Sequence, residues 1–229
     1  MKTRSDLIKE EALNNLFFFS KEILNYKDIQ KQPHQDLCDI LCDNTKKQKL
    51  VLMPRGSFKS TIATISYPIW EISKNRNIRI MIASETYANS RKYLSEMKAQ
   101  LEGNEKLQKL FGRFKPKSSF EGNWNESEVV VPFRTKVVKE ATVSAVGVDQ
   151  TKVGMHADLI ILDDVVSNSN INTPEQLQKT IDFYKYMLSI LDPGGRICII
   201  GTRYHHSDLY SYIMENHKDV FDIHVKKAI

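Results

Sequence analysis

The feature that most limits what this chain can fold into is the stretch Leu50-Val51-Leu52-Met53-Pro54-Arg55-Gly56-Ser57-Phe58-Lys59-Ser60-Thr61. An apolar run of β-forming residues meets a Pro/Gly/Ser turn, and Lys-Ser-Thr then opens an amphipathic segment. Strand, loop and helix in this order make a phosphate-binding loop, where backbone N–H groups and a lysine face an anion at a helix start. The match to G-x-x-x-x-G-K-[ST] is partial, because Met53 and Phe58 stand where that pattern has glycine. A strand running through an ordinary turn into a helix would look similar, so the downstream residues decide.

Those residues keep an α/β rhythm. Residues 5–25 read as an amphipathic helix, and residues 34–43 as a short helix introduced by Gln32-Pro33-His34-Gln35. A strand over 49–53 is followed by a helix over 59–73, which Pro68 should kink. A second strand over 78–83 precedes a helix over 87–101. Residues 102–148 break the pattern with Gly103, Gly112, Pro116 and Gly122, and the runs at 128–132, 136–138 and 142–146 predict short antiparallel strands. From Ala157 the rhythm returns: a strand to Asp163-Asp164, a helix capped by Thr173-Pro174-Glu175-Gln176, a turn at Asp192-Pro193-Gly194-Gly195, a strand to Gly201, a helix capped by Ser207 and a last strand over 221–225. Alternating strands and helices predict a three-layer α/β fold, with a mostly parallel central sheet, helices on both faces and an antiparallel β excursion. The expected organisation is one domain over 1–229: a helical lead-in (1–45), a phosphate-loop half (46–101), a β-rich excursion (102–150), and an acidic-strand and coupling half (151–229).

Composition excludes several classes. With 41% hydrophobic and 27% charged residues the chain is that of a soluble globular protein, and its 229 residues suffice for one large core. No apolar run approaches the ~20 residues of a membrane span, so no membrane partner is expected. Three cysteines do not make a disulfide framework and point to a reducing compartment. His34, Cys38 and Cys42 recur at helical spacing, but with Leu37 and Leu41 beside them and no fourth ligand they read as core. The net charge of +5 is compatible with a polyanionic partner without demanding one. Basic and aromatic residues mix most densely between Lys109 and Trp124, a composition suited to nucleic acid but also to a solvated loop.

Two further strand ends carry chemistry. Asp158-Leu159-Ile160-Ile161-Leu162-Asp163-Asp164 places two carboxylates at the carboxyl end of a buried strand, where α/β sheets bind ligands. One carboxylate suits a hard Mg²⁺ ion beside nucleotide phosphates, and its neighbour suits the attacking water. Ile199-Ile200-Gly201-Thr202-Arg203 ends a third strand in a hydroxyl residue able to reach a γ-phosphate.

These three blocks together, Pro54 to Thr61, Thr151-Lys152-Val153-Gly154-Met155-His156 with the acidic strand, and Gly201-Thr202-Arg203-Tyr204-His205-His206-Ser207-Asp208-Leu209-Tyr210, resemble the ATPase domain of the large terminase subunit of tailed bacteriophages. The resemblance runs from Gln32 to about Tyr210. It implies a P-loop NTPase of the ASCE type that binds ATP and Mg²⁺ through Pro54, Arg55, Gly56, Ser57, Phe58, Lys59, Ser60 and Thr61. Arg55 matches the arginine that precedes Lys-Ser/Thr in this family. Lys59 would take the β- and γ-phosphates, Ser60 and Asp163 the metal, Asp164 the place of a catalytic carboxylate that is usually glutamate, and Thr202 the coupling motif. Gln35 matches a glutamine that reads adenine in related motors. Lys152 stands near the family's trans-acting basic finger, with Arg113 and Arg134 as rivals. Phe58, in place of a glycine, predicts a loop that is distorted or that nucleotide must order.

What the resemblance implies functionally is a motor that drives double-stranded DNA into viral procapsids in the host cytoplasm, at the portal. Its expected partners are the portal protein, the small terminase subunit and further copies in a ring, a pentamer when assembled, with the isolated domain a monomer. A ribonuclease H-like nuclease domain would follow in such proteins, and DNA cutting is not expected of these residues. Two other readings stay open: a helicase-like nucleic-acid motor, and a nucleotide-binding scaffold module that does not hydrolyse.

Overall fold

The computed structural model describes residues 2–149, 154–203 and 207–226. Helix α1 (Arg4–Asn14) starts at Thr3, whose hydroxyl accepts from the Asp6 N–H while the Asp6 carboxylate accepts from the Thr3 N–H. That reciprocal pair supplies partners to donors that a helix start leaves open. Residues 5–25 are not one helix. Asn15 turns to extended geometry and caps the single turn α2 (Leu16–Phe18), after which Phe19–Ile23 forms a wider turn. Helix α3 (Asp36–Cys42) completes the lead-in.

Strand β1 (Gln48–Leu52) enters the loop over 53–60, which leads through the wide turn Thr61–Ser66 into α4 (Tyr67–Lys74). Pro68 sits at this junction, where the backbone stays helical from the wide turn into α4. The Tyr67 N–H reaches back to the Ile62 carbonyl, one residue further than in an α-helix, so Pro68 falls in the first turn of α4. Its missing N–H is least disruptive there. The chain continues through β2 (Ile80–Ser84), α5 (Tyr87–Gly103), α6 (Glu105–Phe111), β3 (Glu128–Val129), β4 (Val143–Gly147), β5 (Ala157–Asp163), α7 (Pro174–Ile190), β6 (Leu191–Gly201), α8 (Leu209–Asn216) and β7 (Phe221–Val225).

The seven strands form one sheet in the order β3-β4-β2-β5-β6-β1-β7, parallel throughout except where β3 meets β4. This corrects the expected excursion in three places. The run at 142–146 belongs to the parallel sheet, as β4 pairs with β2 from Ile80 opposite Val143 to Ser84 opposite Gly147. The run at 136–138 makes no strand, and Val137 is fully exposed. Its β-branched residues have no apolar face to pack on, so propensity alone does not order them. Helix α6 replaces irregular chain at the start of the excursion, and Asn104 caps it by accepting from the Leu107 N–H. At Asp192–Gly195 the expected turn becomes a bulge inside β6, where the register steps from Ala157 opposite Leu191 to Leu159 opposite Arg196.

Alternation along the strands divides the core. Val51, Ile80, Ile82, Val143, Ala145, Leu159, Ile161 and Ile200 face the layer of α1–α6, whereas Leu50, Leu52, Met81, Ala83, Ile160, Leu162 and Ile199 face α7 and α8. Two ion-pair groups tie this frame. Arg79 joins Asp158 and Asp192 at the amino edge of the sheet. Arg196 joins Glu71 and the Tyr67 hydroxyl between β6 and α4. No helix among the described residues is long and apolar enough to cross a membrane.

Candidate active site

The carboxyl ends of β1, β6, β5 and β2 lie side by side, and the loop over 53–60 folds across the first of them. Met53 continues the ladder by donating to the Gly201 carbonyl at 3.0 Å. Two residues then take left-handed backbone angles, Gly56 at φ 75° and Phe58 at φ 53°. Phe58 thus takes the strained left-handed conformation that a glycine would adopt freely. A non-glycine residue there costs on the order of 1 kcal/mol or more, and a contact offsets part of that. The Phe58 ring meets the buried His34 ring edge-on at 5.6 Å between centroids. His34 is in turn fixed by the Gln30 N–H, which donates to its Nδ1 at 2.8 Å.

Lys59 follows directly, with its side chain only 7% exposed and its Nζ 3.2 Å from Asp164 Oδ2. The acidic pair is divided by the strand. Asp163, the last residue of β5, is wholly buried and accepts from the Thr64 hydroxyl at 2.6 Å. Burial raises its pKa to about 6, with repulsion from Asp164 adding to it, while hydrogen bonds from Thr64 and Ser60 and the charge of Lys59 pull the other way. Its second oxygen, Oδ1, is buried and meets no hydrogen-bond partner among the described residues. An orphaned carboxylate oxygen beside the Ser60 hydroxyl fits a hard, oxygen-seeking cation such as Mg²⁺. Among the described residues no cluster of three or more His, Cys, Asp or Glu side chains could hold a metal, so an ion here would rest on Asp163, Ser60 and its other oxygen ligands.

Asp164 lies just past the strand at φ 44°, with its side chain a third exposed. Its Oδ1 accepts the Thr202 N–H at 3.1 Å, and the Thr202 hydroxyl donates to the Met53 carbonyl at 3.3 Å. Thr202 therefore links the loop after β1 to the acidic pair. Gly201 is required before it, since any Cβ there would run into the Tyr210 ring of α8.

A cavity of about 380 Å³ opens above these groups, lined by Arg55, Gly56, Lys59, Asp164, Val166 and Ser167 on one side and by Ser84, Glu85, Asn89 and Tyr93 on the other. The second wall comes from the end of β2 and the first turns of α5, and sequence reasoning misses it. Thr64 is missed as well. The signal for Glu85 is present in the sequence: an acidic residue directly after an apolar strand and directly before Thr86, which caps α5 by accepting from the Asn89 N–H.

The other expected residues stand apart. Gln35 is half-buried next to His34, and its amide donates to Asp39 at 3.0 Å. Arg113 is held by Glu121 and the Lys115 carbonyl within the excursion. Arg134 donates to the Glu140 carbonyl near Arg79 and Asp158, at the opposite edge of the sheet. Lys152 lies outside the described residues, as do Thr151, Val153 and Tyr204 to His206.

No protein-family model matches the chain, and no curated protein is similar enough in sequence to match it. Solved structures share its fold at low identity. The HK97 bacteriophage large terminase superposes with a TM-score of 0.66 at 15% identity, over 95% of this chain and 44% of that one. The chain thus spans less than half the length of that terminase. The ATPase domain of the Thermus phage P74-26 large terminase superposes at 0.55 with 14% identity, over 90% of this chain and 84% of that one. Yeast (S. cerevisiae) Dbp5, in a complex with Gle1 and IP6, superposes at 0.57 with 8% identity, over 95% of this chain and 52% of that one. The chain has the P-loop NTPase fold that these proteins have.

Proposed function

We propose that this chain is the ATP-hydrolysing motor domain of a phage-type large terminase, which drives double-stranded DNA into viral procapsids. The observation that carries the reading is the convergence of Lys59, the Asp163-Asp164 pair and Thr202 on one edge of the sheet, within a fold shared with two large-terminase structures. Lys59 and the backbone of the loop would bind the β- and γ-phosphates, with Arg55 also lining the cavity. Asp163 and Ser60 would hold Mg²⁺, which when bound neutralises charge on the phosphate oxygens. Two carboxylates, Asp164 and Glu85, line the same cavity and would border the space beyond a bound terminal phosphate. Thr202 touches both the loop and Asp164, so loss of the γ-phosphate is felt at the end of β6. A basic finger from a neighbouring copy in a ring would complete the site, with Lys152 as the proposed residue. The portal protein, the small terminase subunit and the host cytoplasm at the procapsid belong to the same reading.

The likeness to Dbp5 favours a second reading, a helicase-like nucleic-acid-dependent ATPase with the same phosphate chemistry. One experiment separates the two. ATP hydrolysis is measured for the wild type, Lys59→Ala and Asp163→Asn, alone and with double-stranded DNA or single-stranded RNA. The terminase reading expects stimulation by duplex DNA and loss in both variants. Stimulation by RNA alone favours the helicase reading, and turnover unchanged in both variants overturns the nucleotide site.

A further inference from the structure

We infer that Glu85, at the end of β2, is the carboxylate that takes the proton of the attacking water, and that Asp164 serves to hold the loop lysine and Thr202. The inference rests on the ATPase reading and adds to it a catalytic residue from a different strand than the acidic pair.

The first argument is placement. β2 is the immediate neighbour of β5, with Ala83 opposite Leu162. Carrying that parallel register on by two residues brings Glu85 abreast of Asp164, and both line the same cavity with Lys59 and Arg55. A carboxylate at the end of the adjacent strand thus faces the phosphate loop across the cavity.

The second argument is occupancy. Both oxygens of Asp164 have partners within the frame: Oδ2 faces Lys59 Nζ at 3.2 Å, and Oδ1 accepts the Thr202 N–H at 3.1 Å. Its backbone is held at φ 44° by the hydrogen bond from its own N–H to the Ile200 carbonyl at 2.9 Å. Asp164 is also one methylene shorter than glutamate, so reaching a water beyond the γ-phosphate would break these contacts. Glu85 is half-buried, and its Oε1 accepts from the neutral Ser169 hydroxyl. Ser169 also contacts the Ser167 hydroxyl, and Ser167 lines the cavity. Glu85 is thereby oriented from the segment after β5 by a hydroxyl, and a carboxylate held in place at the cavity wall has the geometry a proton acceptor needs.

The step balances as hydrolysis. The water oxygen forms a bond to the γ-phosphorus as the bond from that phosphorus to the bridging oxygen breaks, and ADP leaves with the electron pair. One water proton passes to the Glu85 carboxylate and then to the released phosphate.

The test compares wild type, Glu85→Gln and Glu85→Asp in steady-state ATP hydrolysis, with ATP binding read separately as a thermal shift. Glutamine keeps the Ser169 contact and removes the basic oxygen. The expected result is a fall of at least 100-fold in kcat for Glu85→Gln with KM and the ATP-induced shift within threefold of wild type, and a smaller fall for Glu85→Asp. Turnover of Glu85→Gln within threefold of a hydrolysing wild type overturns the assignment while leaving the ATPase reading intact, and so does a loss confined to KM. A wild-type chain that shows neither ATP-induced shift nor turnover removes the ATPase reading itself, and this assignment with it.

Discussion

Lys59 Nζ stands 3.2 Å from Asp164 Oδ2, joining the loop after β1 to the residue after β5 across the intervening strand β6. The pair connects two of the three strand ends, and Thr202, just past the strand between them, donates its N–H to the same aspartate. Because Asp164 is a third exposed, water screens the attraction. A double-mutant cycle with Lys59→Ala and Asp164→Asn, read by urea unfolding, should give a coupling of about 1 kcal/mol. Additive single effects would mean that the two groups do not interact in solution.

Phe58 makes a separate prediction. Its φ of 53° strains any residue with a Cβ, and its ring contacts His34. Phe58→Ala loses the ring and keeps the strain, whereas Phe58→Gly loses both. The glycine variant should therefore be the more stable of the two by about 1 kcal/mol, a melting-temperature gap of roughly 2–4 °C for a chain of this size. The usual order, with alanine above glycine, would show that the loop is not left-handed at this position.

How much of this is legible in the sequence depends on whether the information is local. The strand β5 and its two aspartates can be read because a run of Leu and Ile ending in charge fits a buried strand that meets solvent at its end. Lys59 and Thr202 are legible for the same reason, each following an apolar strand. Strand β4 is easily misread because its residues, Val143 to Gly147, look alike in either direction, and only the partner strand β2 decides that they run parallel. Glu85, Tyr93 and Thr64 escape notice because they reach the site through tertiary packing: Thr64 from the wide turn Thr61–Ser66, Glu85 and Tyr93 from the wall made by β2 and α5. The role of Phe58 is hidden in a backbone angle, to which the identity of a side chain is a poor guide.

Gly201 tests the packing that aims Thr202. A Cβ at this position would overlap the ring of Tyr210, which is buried in α8 against the end of β6. Gly201→Ala should therefore destabilise the fold by about 1–3 kcal/mol as strand and helix are pushed apart. Circular dichroism melts would check this, and an unchanged melting temperature would mean that α8 sits further from the sheet.

Asp163 gives the pH dependence, and its sign follows from burial. Its folded pKa of about 6 lies above the ordinary aspartate value of 3.8, so between about pH 4 and pH 6 the folded chain binds more protons than the unfolded one. Unfolding free energy therefore falls as pH rises through that window, and above it the full penalty of a buried charge remains. Asp163→Asn keeps an oxygen for the Thr64 hydroxyl and removes the charge. Without divalent cations the variant should match wild type near pH 4 and exceed it on the order of 2 kcal/mol above pH 7. Added Mg²⁺ should narrow that gap by stabilising wild type alone, since only the carboxylate offers Oδ1 as an anionic ligand. Urea titrations at pH 4, 6 and 8, with EDTA and with Mg²⁺, measure both effects. A gap that is independent of pH would show that Asp163 titrates normally.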